Sequence, residues 1–129
     1  MMELENNAYF WQKLDTLLMS GDLSLDRPKG THHPQYSNLI YPVDYGYLHG
    51  TITGDPEQVG VYKGSIDVFQ ADAIVVCADI LKKDLEVKIL VGCTEKEIQG
   101  ILEFLNQTNF QKSILIRRGN DIPIWAVEK

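Results

Sequence analysis

Two runs rich in Val and Ile, Ala73 to Leu81 and Leu85 to Val91, are separated only by Lys82-Lys83-Asp84. β-Branched side chains favour extended backbone, and a polar break that short joins neighbouring antiparallel strands, so the stretch predicts a hairpin. Ser65 to Gln70 reads as a further strand ahead of it, which makes a meander. A sheet at the centre of the chain needs its faces covered, and the remaining segments are read against that need.

Tyr9 to Met19 sets Phe10, Trp11, Leu14, Leu17 and Leu18 on one face at helical spacing and stops at Ser20-Gly21. Its polar face carries Glu5, Gln12, Lys13 and Asp15, which lacks the basic character of a membrane-surface helix, so core packing is expected. A second helix follows the hairpin. Thr94 and Glu97 have capping-box spacing, and Ile98, Ile101, Leu102 and Leu105 form an apolar face that ends near Asn106.

Shorter strands complete the pattern: Leu23 to Arg27, stopped by Pro28-Lys29-Gly30, then Asn38 to Tyr41 and Gly46 to Thr51 around Pro42. Thr53-Gly54-Asp55-Pro56 marks a turn. Ile114 to Arg118 and Ile122 to Val127 flank Gly119-Asn120-Asp121 and predict a closing hairpin. The expected architecture is α+β: one domain over 1–129, with a small curled antiparallel sheet or OB-like barrel and a helix near each end.

Composition limits the function classes. Apolar residues at 44% and charged residues at 23% are ordinary for a packed domain of 129 residues. The formal net charge of −6 argues against nucleic acid, because neutralising many phosphates requires surplus Lys and Arg. It does not prevent a local basic cluster from holding one small anion. Cys77 and Cys93 stand in or beside apolar strands without metal or redox spacing, which predicts buried free thiols. With no signal-peptide pattern and no long apolar run, the expected location is the cytosol and no membrane is involved.

The polar residues are densest from Asp26-Arg27-Pro28-Lys29-Gly30 through Tyr41-Pro42-Val43-Asp44-Tyr45-Gly46-Tyr47. A phenol can donate to a phosphate oxygen without fixing a charge, and Lys29 or Arg27 can add a charge-assisted contact. Aromatic core packing beside a solvated turn is the plainer reading of the same residues. His32 and His33 are adjacent with no spaced partner, which favours loop surface over metal ligation. Arg117 and Arg118 end an apolar strand, so alternation turns one side chain inward and one outward.

These segments resemble the soluble, family I inorganic pyrophosphatases over about half the chain. L-D-R-P-K-G is similar to the family's I-E-I-P-K-G, and Y-P-V-D-Y-G-Y resembles Y-P-x-N-Y-G-[FY]. G-S-I-D-V resembles the end of the metal signature D-G-D-P-x-D-V, and the hairpin L-E-V-K-I-L resembles a loop ending in D-x-K. The resemblance implies Mg²⁺, with Mn²⁺ as a substitute, held by Asp67, Glu86 and Asp26, and phosphate held by Lys29, Tyr41, Tyr45 and Lys88. Asp67 and Tyr45 then carry the catalytic roles, with Asp84 and Asp44 as further carboxylates near the set.

The chain also departs from the family pattern. The first two signature aspartates fall at Tyr62 and Gly64, and a Tyr-Lys pair is replaced by Thr108-Asn109. A magnesium ion takes several oxygen ligands, and Asp26, Asp67 and Glu86 suffice for one ion but are thin for a cluster. Three readings stay open: Mg²⁺-dependent hydrolysis of pyrophosphate, hydrolysis of another phosphate compound, and a non-catalytic descendant binding a phosphate-containing ligand or a protein. Family resemblance also implies a homo-oligomer.

Overall fold

The computed structural model describes residues 6–51 and 58–126. Among them, α1 (Ala8–Ser20) leads into β1 (Asp22–Arg27), β2 (Asp44–His49), β3 (Val59–Lys63), β4 (Ala71–Asp79) and β5 (Asp84–Val91). Then come α2 (Glu95–Leu105), β6 (Gln111–Arg117) and a short 3-10 helix at Ile124–Ala126. No helix among the described residues is long and apolar enough to cross a membrane.

The α+β reading holds, with two corrections to the sheet. The strands form one sheet in the order β1-β2-β3-β5-β4-β6, and β3 runs parallel to β5 with Gly60 opposite Lys88. The sheet is therefore mixed rather than wholly antiparallel. Its outer strands β1 and β6 have no pairing with each other among the described residues, so it is an open sheet and not a closed barrel. The parallel pair arises because the chain passes from β3 to β4 across one strand position, and the β4-β5 hairpin then inserts β5 into the gap. Alternation marks strands and faces but carries no information about strand order.

One strand goes unread in the sequence and two expected strands change, each for a local reason. β3 is apolar on both faces, with Val59 to Tyr62 all buried, so it shows none of the alternation that betrays a half-covered strand. Ser65 to Gln70 alternates convincingly yet forms an irregular connection, since Lys63 Nζ donates to the carbonyls of Gly64 and Ile66 and curls the backbone. Asn38 to Tyr41 contributes a single bridge, Ile40 to His32. The closing hairpin is also absent from the described residues: β6 pairs with β4, and Asp121 bridges Asn7 at the start of α1. Pro123 denies that segment a ladder donor. Thr53-Gly54-Asp55-Pro56 and Val127 lie outside the described residues.

Each helix covers one face of the sheet. Trp11 and Leu18 of α1 pack with Leu48, Val61, Ile74, Ile89 and Val91. Ile98, Ile101, Phe104 and Leu105 of α2 pack with Ala73, Val75, Cys77 and Leu90 on the other face. The capping box at Thr94 and Glu97 forms as expected, and both cysteines are buried and free. Arg117 and Arg118 follow the alternation: Arg117 pairs with Glu95 of α2, and Arg118 pairs with Asp15 of α1 at 2.8 Å. Neither serves as an anion contact in a cavity.

Burial acts to raise the Asp15 carboxyl, but the bonds from Arg118 and the Ala71 N–H outweigh it and hold the group below its ordinary value. A depressed folded pKa gives stability above the unfolded value that is lost as pH falls through the folded one. Asp15→Asn should therefore cost about 1–2 kcal/mol at neutral pH, a value between exposed and buried pairs. Urea melts should show that difference shrinking below about pH 4; a pH-independent difference would show that the charge is not what holds α1.

Candidate functional site

One face of the sheet carries polar side chains inward. On β5, Asp84, Glu86 and Lys88 alternate with Leu85 and Val87, and the register sets Glu86 against Cys77 and Lys88 against both Val75 and Gly60. Those partners belong to the α2 side, so the charged edge of β5 looks under α2 rather than into open solvent. The apolar edge, with Leu85 71% and Val87 41% exposed, lies beyond the reach of α1.

A cavity of about 370 Å³ opens on this polar face between the sheet, α2 and the segments around His33 and Phe110. β2 supplies Tyr45 and Tyr47, β1 supplies Arg27, and the turn before β2 supplies Tyr41. Tyr41 and Tyr45 are both buried, with rings 5.6 Å apart and nearly stacked, and the Arg27 guanidinium lies 5.6 Å and 5.8 Å from the two centroids. Arg27 donates to the Tyr41 hydroxyl. A hydroxyl that accepts one bond still has its own hydrogen to donate, so Tyr41 offers a donor next to a cation.

Gly60 makes the central arrangement possible. A Cβ there would stand 2.3 Å from the Tyr45 hydroxyl oxygen, so only glycine lets the ring cross β3 to reach β5. There the hydroxyl accepts from Lys88 Nζ at 2.8 Å. Lys88 also pairs with Glu86 at 3.0 Å, and Glu86 lies 3.8 Å from Lys82. Burial disfavours a charged Lys88, but Tyr45, Tyr62 and Glu86 around it raise its pKa well above the ordinary value, so it stays protonated. Burial likewise pushes the Tyr45 phenol up to about 12 against the pull of Lys88. At neutral pH Tyr45 is a phenol and no base or nucleophile.

The structure sorts the residues expected from sequence into two sets. Tyr41, Tyr45, Lys88 and Glu86 line the cavity together. Asp26, Lys29 and Asp67 do not. Asp26 points away from Arg27 on β1, is exposed and accepts from Ser24 at 2.6 Å. Asp67 is exposed in the β3-β4 connection. Lys29 is exposed too, beside a separate recess of about 100 Å³ with Asp44 and Lys63, and its N–H donates to Asp44 at 2.8 Å. That recess already holds a carboxylate: Glu97 accepts from the Ser65 N–H and hydroxyl and the Thr94 N–H.

These donors do not fit a magnesium site. Among the described residues, no group of three or more His, Cys, Asp or Glu side chains is placed to hold a metal ion. Glu86, the carboxylate of the expected set that reaches the cavity, is neutralised by Lys88. The two replaced signature positions are closed by packing. Tyr62 is buried in the core, and a Cβ on Gly64 would lie 2.3 Å from the Gly92 carbonyl oxygen and 2.6 Å from the Cys93 Cα.

Several cavity residues escape sequence reasoning. His33, expected on the loop surface, is half-buried in the wall and stacks with Tyr41 at 9° between planes. Its Nδ1 accepts from the N–H groups of Gln35 and Tyr36, which leaves the ring proton on Nε2. Burial and the cations Arg27, Lys82 and Lys88 lower its pKa, so the ring is neutral at pH 7. Tyr36 and Phe110 pack together at 5.4 Å from segments outside the regular elements, where no periodicity could reveal them. Phe104 was hidden on the apolar side of α2.

No family model matches the sequence, and no curated protein sequence matches it. The fold is similar to the crystal structure of an inorganic phosphatase from Anaplasma phagocytophilum, with a TM-score of 0.52 and 13% identity. That likeness covers 74% of this chain and 81% of the other, and at this identity it shows a shared fold.

The Gly60 contact is testable by a double-mutant cycle. Gly60→Ala should cost about 1–3 kcal/mol by forcing Tyr45 off Lys88, as overpacking generally does. In a Tyr45→Phe background, which removes the atom 2.3 Å from the new Cβ, the same change should cost measurably less. Equal costs in both backgrounds would mean that Gly60 serves backbone geometry alone.

Proposed function

We propose that the chain binds a small phosphate-containing ligand in the cavity beneath α2 and does not hydrolyse it by metal-activated water. The observation that carries this reading is Arg27: it lines the cavity, donates to Tyr41 and has no carboxylate partner among the described residues. Lys88 and Lys82, by contrast, both face Glu86. An uncompensated, partly desolvated guanidinium beside two neutral phenol donors is a receptor for an oxyanion.

Hydrolysis of a P–O–P bond needs an activated water and a cation to offset charge on the leaving phosphate. The lone pair of His33 Nδ1 is taken by the N–H groups of Gln35 and Tyr36, Glu86 is tied to Lys88, and Asp79 is tied to the N–H groups of Leu81 and Lys82, so the cavity supplies donors that bind while its acceptors are already engaged. The similar fold and the Y-P-V-D-Y-G-Y segment support descent from a phosphate-handling ancestor in which Tyr62 and Gly64 have taken the places of carboxylates. In this reading the protein binds a diffusible small molecule in the cytosol.

Purified protein should release no phosphate from pyrophosphate with either Mg²⁺ or Mn²⁺, while a phosphate compound that binds should raise its melting temperature. Arg27→Gln should weaken that binding about tenfold or more, the value of a charge-assisted hydrogen bond, and Asp67→Asn should leave it unchanged. Metal-dependent turnover that disappears in Asp67→Asn would overturn the proposal in favour of a reduced hydrolytic site.

A further inference from the structure

The cavity's charge and its walls say more about the ligand, on the footing that the cavity binds phosphate as proposed above. Its charged lining consists of Arg27, Lys82 and Lys88 against Asp79 and Glu86. Glu86 is shared by the two lysines, and Asp79 is buried and accepts from the N–H groups of Leu81 and Lys82 in the β4-β5 turn. One cation, Arg27, is left without an opposing charge among the described residues. Asp84 stands beside Glu86 on β5 and faces Lys82 as well, so a site with Arg27 as its one uncompensated cation is poorly matched to inorganic pyrophosphate, which brings several negative charges into a partly desolvated space.

The walls are aromatic and larger than a phosphate requires. Tyr36, Phe104 and Phe110 add aromatic lining besides the tyrosines around Arg27, and the cavity's volume of about 370 Å³ suits an organic ligand with a body. Tyr36 packs at 5.4 Å and 41° against Phe110, and His33 packs at 5.3 Å and 42° against Tyr36. These tilted rings offer faces and edges to a further ring instead of closing on one another. Gln35, Gln58 and Gln111 add neutral donors and acceptors to the lining without changing its charge.

We infer that the ligand is a ring-bearing phosphoester: one phosphate on an aromatic or heteroaromatic body, with the phosphate on Arg27 and Tyr41 and the ring against Tyr36 and Phe110. This excludes inorganic pyrophosphate as the preferred ligand even though the fold is that of a phosphate-handling protein. It also explains why Lys29 is not needed: a single phosphate is held from one side by the fork of Arg27, and the body fills the space that a second phosphate would have to share with Glu86.

The test is calorimetric titration of the full chain with phenyl phosphate, methyl phosphate, inorganic phosphate and pyrophosphate at one ionic strength. Phenyl phosphate should bind at least about tenfold more tightly than methyl phosphate, a difference of about 1.4 kcal/mol, and more tightly than pyrophosphate. Tyr36→Leu should pull the phenyl-to-methyl ratio towards one, whereas Arg27→Gln should weaken both esters and keep their ratio in a variant whose melting confirms that it folds. Equal affinity for the two esters, or tightest binding of pyrophosphate, overturns the inference while leaving phosphate binding intact. Binding of none of the four overturns both the inference and the proposed function beneath it.

Discussion

The position of β5 between β3 and β4 decides what the rest of the molecule can be. It places a strand with charged residues on one edge and apolar residues on the other at the middle of the sheet, with the charged edge turned under α2. Buried charge is tolerated only with partners, and each partner here comes from a different strand. Glu86 lies on β5 itself, Tyr45 arrives from β2 across Gly60, and Tyr62 lies on β3 beside them. The cavity exists because these groups occupy a sheet face that apolar side chains would otherwise have filled.

The same pairing also keeps Glu86 from standing in a carboxylate cluster. A carboxylate cluster needs like charges held close together, which a fold accepts only when a cation is there to offset them. In this chain the offset is internal: Lys88 neutralises Glu86, and Arg118 and Arg117 neutralise Asp15 and Glu95 elsewhere. Tyr62 and Gly64 then contribute packing where carboxylates would contribute ligands. On the cavity wall Arg27 has no carboxylate partner among the described residues.

The helices, the capping box, β1, the β4-β5 hairpin and the buried cysteines were legible because each depends on local signals: periodicity, a cap, a turn or burial. The parallel pairing of β3 and β5 was not, since strand order is set by which edges meet after the hairpin folds back. β3 itself was hidden by its burial on both faces, and Ser65 to Gln70 imitated a strand because chain curvature fixed by Lys63 leaves no trace in alternation. In the site, Tyr41, Tyr45, Glu86 and Lys88 were found through a motif and they do converge. Asp26 and Lys29 came from the L-D-R-P-K-G match and Asp67 from G-S-I-D-V, and the fold leaves all three outside the cavity. His33, Tyr36 and Phe110 come from irregular segments whose meeting place only the tertiary structure determines.

The two successive arginines at the end of β6 tie helices on opposite faces of the sheet to adjacent residues of one edge strand. Edge strands open more readily than central ones, since only one side of their ladder is paired. Here, however, detaching β6 would also break an ion pair to each helix, so opening that edge costs one contact with each covering layer.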